Sequence, residues 1–295
     1  MTTTSTTNGQ DMAELLARAT RVLAQLEAWL PPAPPATSWD AHAFRWRKRG
    51  TSHGWLDAIA NVSLIHTEDL QHIERQKDII DRNTRHFIDN KPANNVLMTG
   101  ARGTGKSSLV KAMLAAYAER GLRLIEVDKS DLGDLADIVD MVAKRPEKFI
   151  VFCDDLSFEE GESGYKALKS VLDGSAASTG NNVLIYATSN RRHLMPEYMS
   201  ENLQAKHGAD GEVHPGETVE EKISLSERFG LWLSFYPFRQ DDYLDIVYHW
   251  LRTLGCSETS IIESRTEALQ WALERGSRSG RVAWHFARDW AARNA

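Results

Sequence analysis

Apolar positions change rhythm several times along the chain, and each change marks an element. Leu15, Leu16, Ala19, Val22, Leu23, Leu26 and Leu30 recur at three- and four-residue spacing, which predicts a helix with one apolar stripe. The stripe stops at Pro31-Pro32-Ala33-Pro34-Pro35, a composition expected to form a stiff extended linker. Residues 1–10 are polar and low in complexity and are expected to be disordered. Two readings of the helix stand side by side: an oligomerisation or partner-docking element, or a helix packed on its own domain.

From Trp39 to Arg49 aromatic and basic residues interleave. Such a segment can stack on bases and neutralise phosphates, or lie on a membrane surface. Its other reading is structural, with Phe44, Trp46 and Trp55 in the core and the basic side chains snorkelling to water.

Residues 69–90 return to helical spacing, with Ile73, Ile79, Ile80, Phe87 and Ile88 on the apolar face. Short apolar runs then alternate with helical stretches. Val96–Thr99, Leu122–Val127, Phe149–Cys153 and Val183–Ala187 read as strands, with Leu231–Phe238 as a further apolar run. Gly105–Arg120, Leu132–Val142 and Tyr165–Leu172 read as helices. Buried strands separated by helices predict an α/β fold, a parallel sheet covered on both faces. After Arg239 the pattern is helical to the end, over Tyr243–Leu254, Ile261–Arg275 and Arg281–Ala292. The expected organisation is an N-terminal segment at 11–68, an α/β core at 69–238 and a helical lid at 239–295, with the break near Pro237–Arg239.

Composition narrows the class without naming it. Hydrophobic residues make up 42% and charged residues 26% of 295, ordinary for a soluble globular protein. The net charge of −6 gives no global attraction to nucleic acid or anionic membrane. No apolar run approaches the roughly 18–20 residues that span a bilayer. The N-terminus has no apolar signal-peptide core. Cys153 and Cys256 stand alone, so no structural disulfide is expected, and the chain reads as reduced and cytoplasmic.

The chemistry concentrates in one run. Gly100-Ala101-Arg102-Gly103-Thr104-Gly105-Lys106-Ser107, followed by Ser108, fits G-x-x-x-x-G-K-[ST] between an apolar strand and a helix. Glycines let the backbone wrap a phosphate, and the helix N-terminus adds partial positive charge. Lys106 is expected to neutralise the β- and γ-phosphates, and Ser107 to ligate Mg²⁺. The predicted cofactors are therefore ATP and Mg²⁺. A guanine nucleotide is not expected, because no Asn-Lys-x-Asp base-reading run follows a strand.

Some fifty residues on, the run Phe149–Cys153 ends in two carboxylates, Asp154 and Asp155. Ligands bind at the carboxyl ends of parallel strands. Asp154 is the candidate for Mg²⁺, and Asp155 for orienting or deprotonating the attacking water. Ile73, just upstream of the loop, is a candidate wall for the adenine.

With these motifs the chain resembles the AAA+ P-loop ATPases over roughly residues 69–295. Val183–Asn190 resembles the sensor-1 strand, Ser226-Glu227-Arg228-Phe229 the arginine-finger segment, and Gly276–Ala283 the sensor-2 region. The resemblance implies a three-layer parallel-sheet core with a C-terminal helical lid. It implies Asn190 as sensor 1, Arg228 as a finger and Arg281, or secondarily Arg278, as sensor 2. In such assemblies the finger comes from a neighbouring subunit, which implies a homo-oligomeric ring or spiral. Asn94–Leu97, Cys153–Glu159 and Thr188–Leu194 are similar to a bacterial family of predicted AAA+ ATP-binding proteins without an assigned role.

Three alternatives stay open on the residues themselves. Asn190 also reads as an ordinary strand-end turn residue, Arg228 as one half of a surface ion pair, and Arg275 or its neighbours as solvated lid arginines. The acid pair also departs from the AAA+ pattern, which places Glu second. Asp155 is shorter, so slow hydrolysis, or help from Glu159 or Glu160, is expected.

The polar stretch from 196 to 222 reads as a long solvated or partner-contacting loop. His207 and His214 within it match no zinc spacing. The function expected first is an oligomeric ATPase that couples nucleotide state to lid motion and acts on an unknown protein or nucleic-acid client, with no membrane span. Its alternatives are a P-loop kinase with the 275–281 arginines over the phosphates, or a weakly hydrolysing scaffold.

Overall fold

The computed structural model describes residues 7–29, 35–48, 54–62, 65–158, 163–173, 182–191, 206–207, 213–214 and 225–294. Two compact units divide the chain, Met1–Ala36 and Thr37–Ala295. The first carries helix α1 (Thr7–Trp29). It begins inside the stretch expected to be disordered, because Met12 continues the apolar spacing one step before Leu15. Met12, Leu15, Leu16, Val22 and Leu23 are exposed. Most of the proline run, residues 30–34, lies outside the described residues.

The second unit is built on one seven-stranded sheet. Its strands are β1 (Ala43–Arg47), β2 (Trp55–Ala58), β3 (Val96–Gly100), β4 (Leu122–Val127), β5 (Lys148–Cys153), β6 (Val183–Ser189) and β9 (Leu231–Phe235). Their order is β2-β1-β4-β5-β6-β3-β9, and only the β1–β2 pair is antiparallel. Two short strands, β7 (Lys206–His207) and β8 (Val213–His214), pair separately within the polar stretch.

Side chains alternate across the sheet, and both faces are apolar. Val96, Met98, Ile150 and Phe152 point to one layer, and Leu97, Phe149, Val151 and Cys153 to the other. The first layer holds α2 (Glu74–Ile88), α3 (Lys106–Tyr117) and the C-terminal helices α6 (Gln240–Thr253), α7 (Glu258–Glu263), α8 (Arg265–Glu274) and α9 (Gly280–Arg293). The second holds α4 (Leu135–Val142) and α5 (Ser163–Leu172). Lid and sheet thus share one apolar cluster, in which Tyr243 and Phe286 of the lid join Leu109 and Met113 of α3. Among the described residues no helix is long and apolar enough to cross a membrane.

The aromatic-basic segment takes the packing reading. Phe44 and Trp46 are buried, and β1 adds to the sheet beside β4, upstream of the core start expected at residue 69. Two of its described cations are matched internally: Arg45 pairs with Glu126 at 2.7 Å, and Lys48 with Asp134 at 2.8 Å. The helix expected over 69–90 is broken at its start. A 3₁₀ turn covers Thr67–Asp69, His72 sits at φ 62°, and α2 begins only at Glu74. The expected helix over 261–275 is two, split at Ser264 between α7 and α8.

Candidate functional site

The loop after β3 lies where the sheet's connections diverge, with β6 on one side and β9 on the other. That is the topological switch point at which open parallel sheets bind ligands. Gly103 and Gly105 hold left-handed backbone at φ 71° and 97°, which glycine adopts without strain. A Cβ on Gly103 would come within 2.8 Å of the Ser279 side chain, and one on Gly105 within 3.3 Å of Ile73. Thr104 Oγ1 closes the turn by donating to the Ala101 carbonyl at 2.8 Å. The first amides of α3 need partners from outside the helix, which makes its start an anion site.

Lys106 is buried at the centre of the loop. Its Nζ donates to the carbonyls of Gly100 and Ala101, at 2.8 and 2.7 Å, and to Asn190 Oδ1 at 3.1 Å. Burial pushes its ammonium below the usual lysine range, Asp154 and Asp155 oppose that, and Arg102 adds to it.

The two acids meet the loop as their strand predicts. Ser107 Oγ donates to Asp154 Oδ1 at 2.6 Å. Asn190 Nδ2 donates to Asp155 Oδ1 at 2.6 Å, and the Arg102 guanidinium stands 4.0 Å from Asp155 Oδ2. Cys153, just before the acids, is fully buried, and its thiol is pushed up to about 12, so it stays protonated. Arg102, Lys106, Ser107, Asp154, Asp155 and Asn190 line one cleft of about 700 Å³, with Ser108, Ile73 and Arg281 also on its wall. Serine hydroxyl and aspartate are the hard oxygen donors that Mg²⁺ takes, and a buried lysine beside a left-handed amide loop suits a triphosphate. The residues present fit a magnesium–nucleotide complex.

One end of the cleft is apolar. Ile65, Leu70 and Ile73 face Phe238, Trp250 and Trp284 across it. Trp250 and Trp284 have ring centroids 4.6 Å apart. Asp69, also on this wall, lies 3.3 Å from His249 Nε2 of α6. Sequence reasoning found Ile73 and missed the two tryptophans, which no fixed spacing links to the loop. It also missed Thr188, which touches both acids although it lies inside the run resembling sensor 1.

Arg228, Arg275 and Arg278 lie outside this cleft. Arg228 is ion-paired with Asp173 and lines a separate cleft of about 570 Å³, together with Asn94 and Lys148 at the amino ends of the strands. Arg275 stacks over Trp271 at 3.5 Å on the lid, and Arg278 is not on the wall of the phosphate cleft, in contrast to Arg281. Glu159 and Glu160 fall outside the described residues, as do the side chains of His207 and His214. Among the described residues no cluster of three or more His, Cys, Asp or Glu could hold a metal.

A sheet parallel but for its β1–β2 edge, with this loop on the strand beside the opposite edge, acids at the end of the next strand but one and a helical lid over the cleft define a P-loop NTPase fold of the AAA+ type. The chain belongs to the family described as "Protein of unknown function (DUF815)", which matches residues 39–294 and so includes β1 and β2. A point mutant of RuvB from Thermotoga maritima is 14% identical with a TM-score of 0.51, over 76% of this chain and 64% of that one, and shares the fold. The T. maritima RuvB Holliday junction branch migration motor is 12% identical, with a TM-score of 0.40, over 76% and 70%. A chain of the E. coli MS115-1 HORMA:CdnC:Trip13 complex is 11% identical, with a TM-score of 0.47, over 75% and 89%. The chain spans less than two thirds of that RuvB point mutant. No curated protein matches it by sequence.

Proposed function

We propose that the protein binds ATP with Mg²⁺ and hydrolyses it to ADP and phosphate, using the nucleotide state to move its lid against the sheet. One observation carries the reading: Lys106, Ser107, Asp154, Asp155, Asn190 and Arg281 line a single cleft. The loop amides and Lys106 would hold the β- and γ-phosphates. Ser107 and Asp154 would hold Mg²⁺, which supplies charge neutralisation across the phosphates.

In the proposed reaction a water oxygen bonds to the γ-phosphorus while the bond to the bridging oxygen breaks. ADP carries away the released electron pair, and Asp155 accepts the water's proton. Asn190, already bonded to Asp155 and Lys106, orients that acid. Arg281 would approach the phosphates from the lid.

Arg228 acts on the site of a neighbouring copy in this reading, which makes the working unit a homo-oligomer. Its lining of a different cleft supports that role. The client is a protein or nucleic acid, and the compartment is the cytoplasm.

The test is calorimetric titration of the full chain with ATP in magnesium, alongside Lys106→Ala, followed by phosphate release and mass measurement of the assembly with ATP, ADP and no nucleotide. Saturable heat lost in Lys106→Ala, with phosphate release, is the expected result. Absence of binding by the unaltered chain would overturn it.

A further inference from the structure

Asp155 departs from the acid pair of its fold class by one methylene, and it departs from ordinary backbone as well. Its φ is 53°, in the left-handed region. Aspartate and asparagine enter that region several-fold more often than other side chains, because their short polar groups bond locally; glutamate has no such advantage. The backbone and the residue type therefore belong together.

The end of β6 holds that turn. The Asp155 amide donates to Thr188 Oγ1 at 2.9 Å, and the Leu156 amide to the Thr188 carbonyl at 2.7 Å. Ser189 Oγ donates to the Leu156 carbonyl at 2.7 Å, and Asn190 Nδ2 to the Asp155 carboxylate at 2.6 Å. Thr188 is 1% exposed, and its hydroxyl proton goes to Asp154 Oδ1. That same oxygen accepts from Ser107 Oγ at 2.6 Å and from the Asp155 amide at 3.1 Å. One hydroxyl thus fixes the carboxylate offered to a metal and the backbone of the acid beside it.

We infer that Thr188 is the positioning residue for both acids, and that the left-handed turn it holds at Asp155 takes the place of a glutamate's extra methylene. This rests on the hydrolytic reading of the site for its kinetic part only. The Asp155 carboxylate already reaches Asn190 and the loop residue Arg102 from this turn. A longer acid at the same position either overshoots or forces the backbone out of the turn. The shorter residue is then a matched part of the site, and turnover does not suffer from its length.

The experiment uses the full chain and four kinds of readout. Thr188→Val, which keeps shape and loses the hydroxyl, is expected to lower kcat about tenfold or more through misplaced acids. Its ATP affinity in EDTA should stay within about threefold of the unaltered chain, while the gain in affinity on adding magnesium shrinks. Thr188→Ser, which restores the hydroxyl, should recover most of both. Asp155→Glu should turn over more slowly than the unaltered chain.

A comparison of Asp155→Asn with Asp155→Gln isolates the backbone, since both are neutral and differ by one methylene. The glutamine variant should melt about 3 °C lower. Equal kcat and equal magnesium response in Thr188→Val and Thr188→Ser would overturn the positioning role. Turnover in Asp155→Glu at or above the unaltered chain, or equal melting of the amide pair, would overturn the matched turn. Should the unaltered chain release no phosphate, the hydrolytic reading fails alone, and the melting and magnesium comparisons still decide the inference.

Discussion

The amide of Gly280 donates to the carbonyl of Gly103 at 2.8 Å, so the first turn of the last helix is tied to the phosphate loop itself. Ser279, which caps that helix, packs where a Cβ on Gly103 would sit. The loop and the lid are one contact surface, and loop substitutions act on both.

Gly103→Ala tests this directly. Its new Cβ would lie 2.8 Å from Ser279 on a backbone at φ 71°. Strain at such a position costs on the order of 1–3 kcal/mol. The expected outcome is a melting temperature lower by several degrees and at least tenfold weaker ATP binding, read by calorimetry. A variant that binds like the unaltered chain would separate loop from lid.

The pair Trp250–Trp284 makes the base end of the cleft optically visible. Adding ATP should change tryptophan emission, whereas inorganic triphosphate should not, because it carries no ring to stack. Stacking on an aromatic platform is worth about 1–3 kcal/mol per base. Trp284→Leu should therefore weaken ATP by roughly tenfold and remove most of the emission change, as measured by fluorescence titration.

Lys106 sets a pH dependence with a definite sign. Burial lowers its folded pKa below the ordinary 10.5, so between the two values the unfolded chain binds more protons than the folded one. Stability then rises with pH across that window, and below it the cost of burying the charge is fully present. Lys106→Met should remove this alkaline gain in a series of melting curves. ATP binding should run the other way, weakening as pH climbs through the lowered pKa, because the phosphates require the charged lysine.

Arg228 offers a test of shared sites. Arg228→Ala should keep ATP binding and lose turnover, by about 10³-fold if it serves as an arginine finger. Mixing it with Lys106→Ala chains should restore activity, since each supplies what the other lacks. Phosphate release from the mixture no greater than from either variant alone would show that Arg228 serves its own chain, as in its ion pair with Asp173, and not a neighbour's site.

What was legible in the chain followed from local rules. The loop 100–107 and the acids 154 and 155 are bound by fixed spacing and by the strand each follows, so residue order alone located them. The alternation of buried strands with helices gave the sheet for the same reason. Long-range partners left no such trace. Trp39–Arg49 looks like a nucleic-acid or membrane face until Glu126 and Asp134, far along the chain, take up Arg45 and Lys48. Trp250 and Trp284 come to line the same cleft as Ile73 only through the packing of α6 and α9. His72 hides in a helical pattern, yet its ring lies between Asp242 and Asp245 of the lid, at 3.4 and 3.1 Å, and its backbone interrupts the helix.

The β1–β2 hairpin bears on how far the polypeptide can be shortened. Removing everything before residue 69 would keep every phosphate-cleft residue named above except Ile65, yet strip β4 of one of its two neighbours. The ladder from Ala43–Arg45 to Leu124–Glu126 would open as a bare edge, and the apolar face that Phe44 and Trp46 cover would meet water. Such an edge invites pairing between molecules. A trimmed fragment would keep its chemistry on paper and precipitate in the tube.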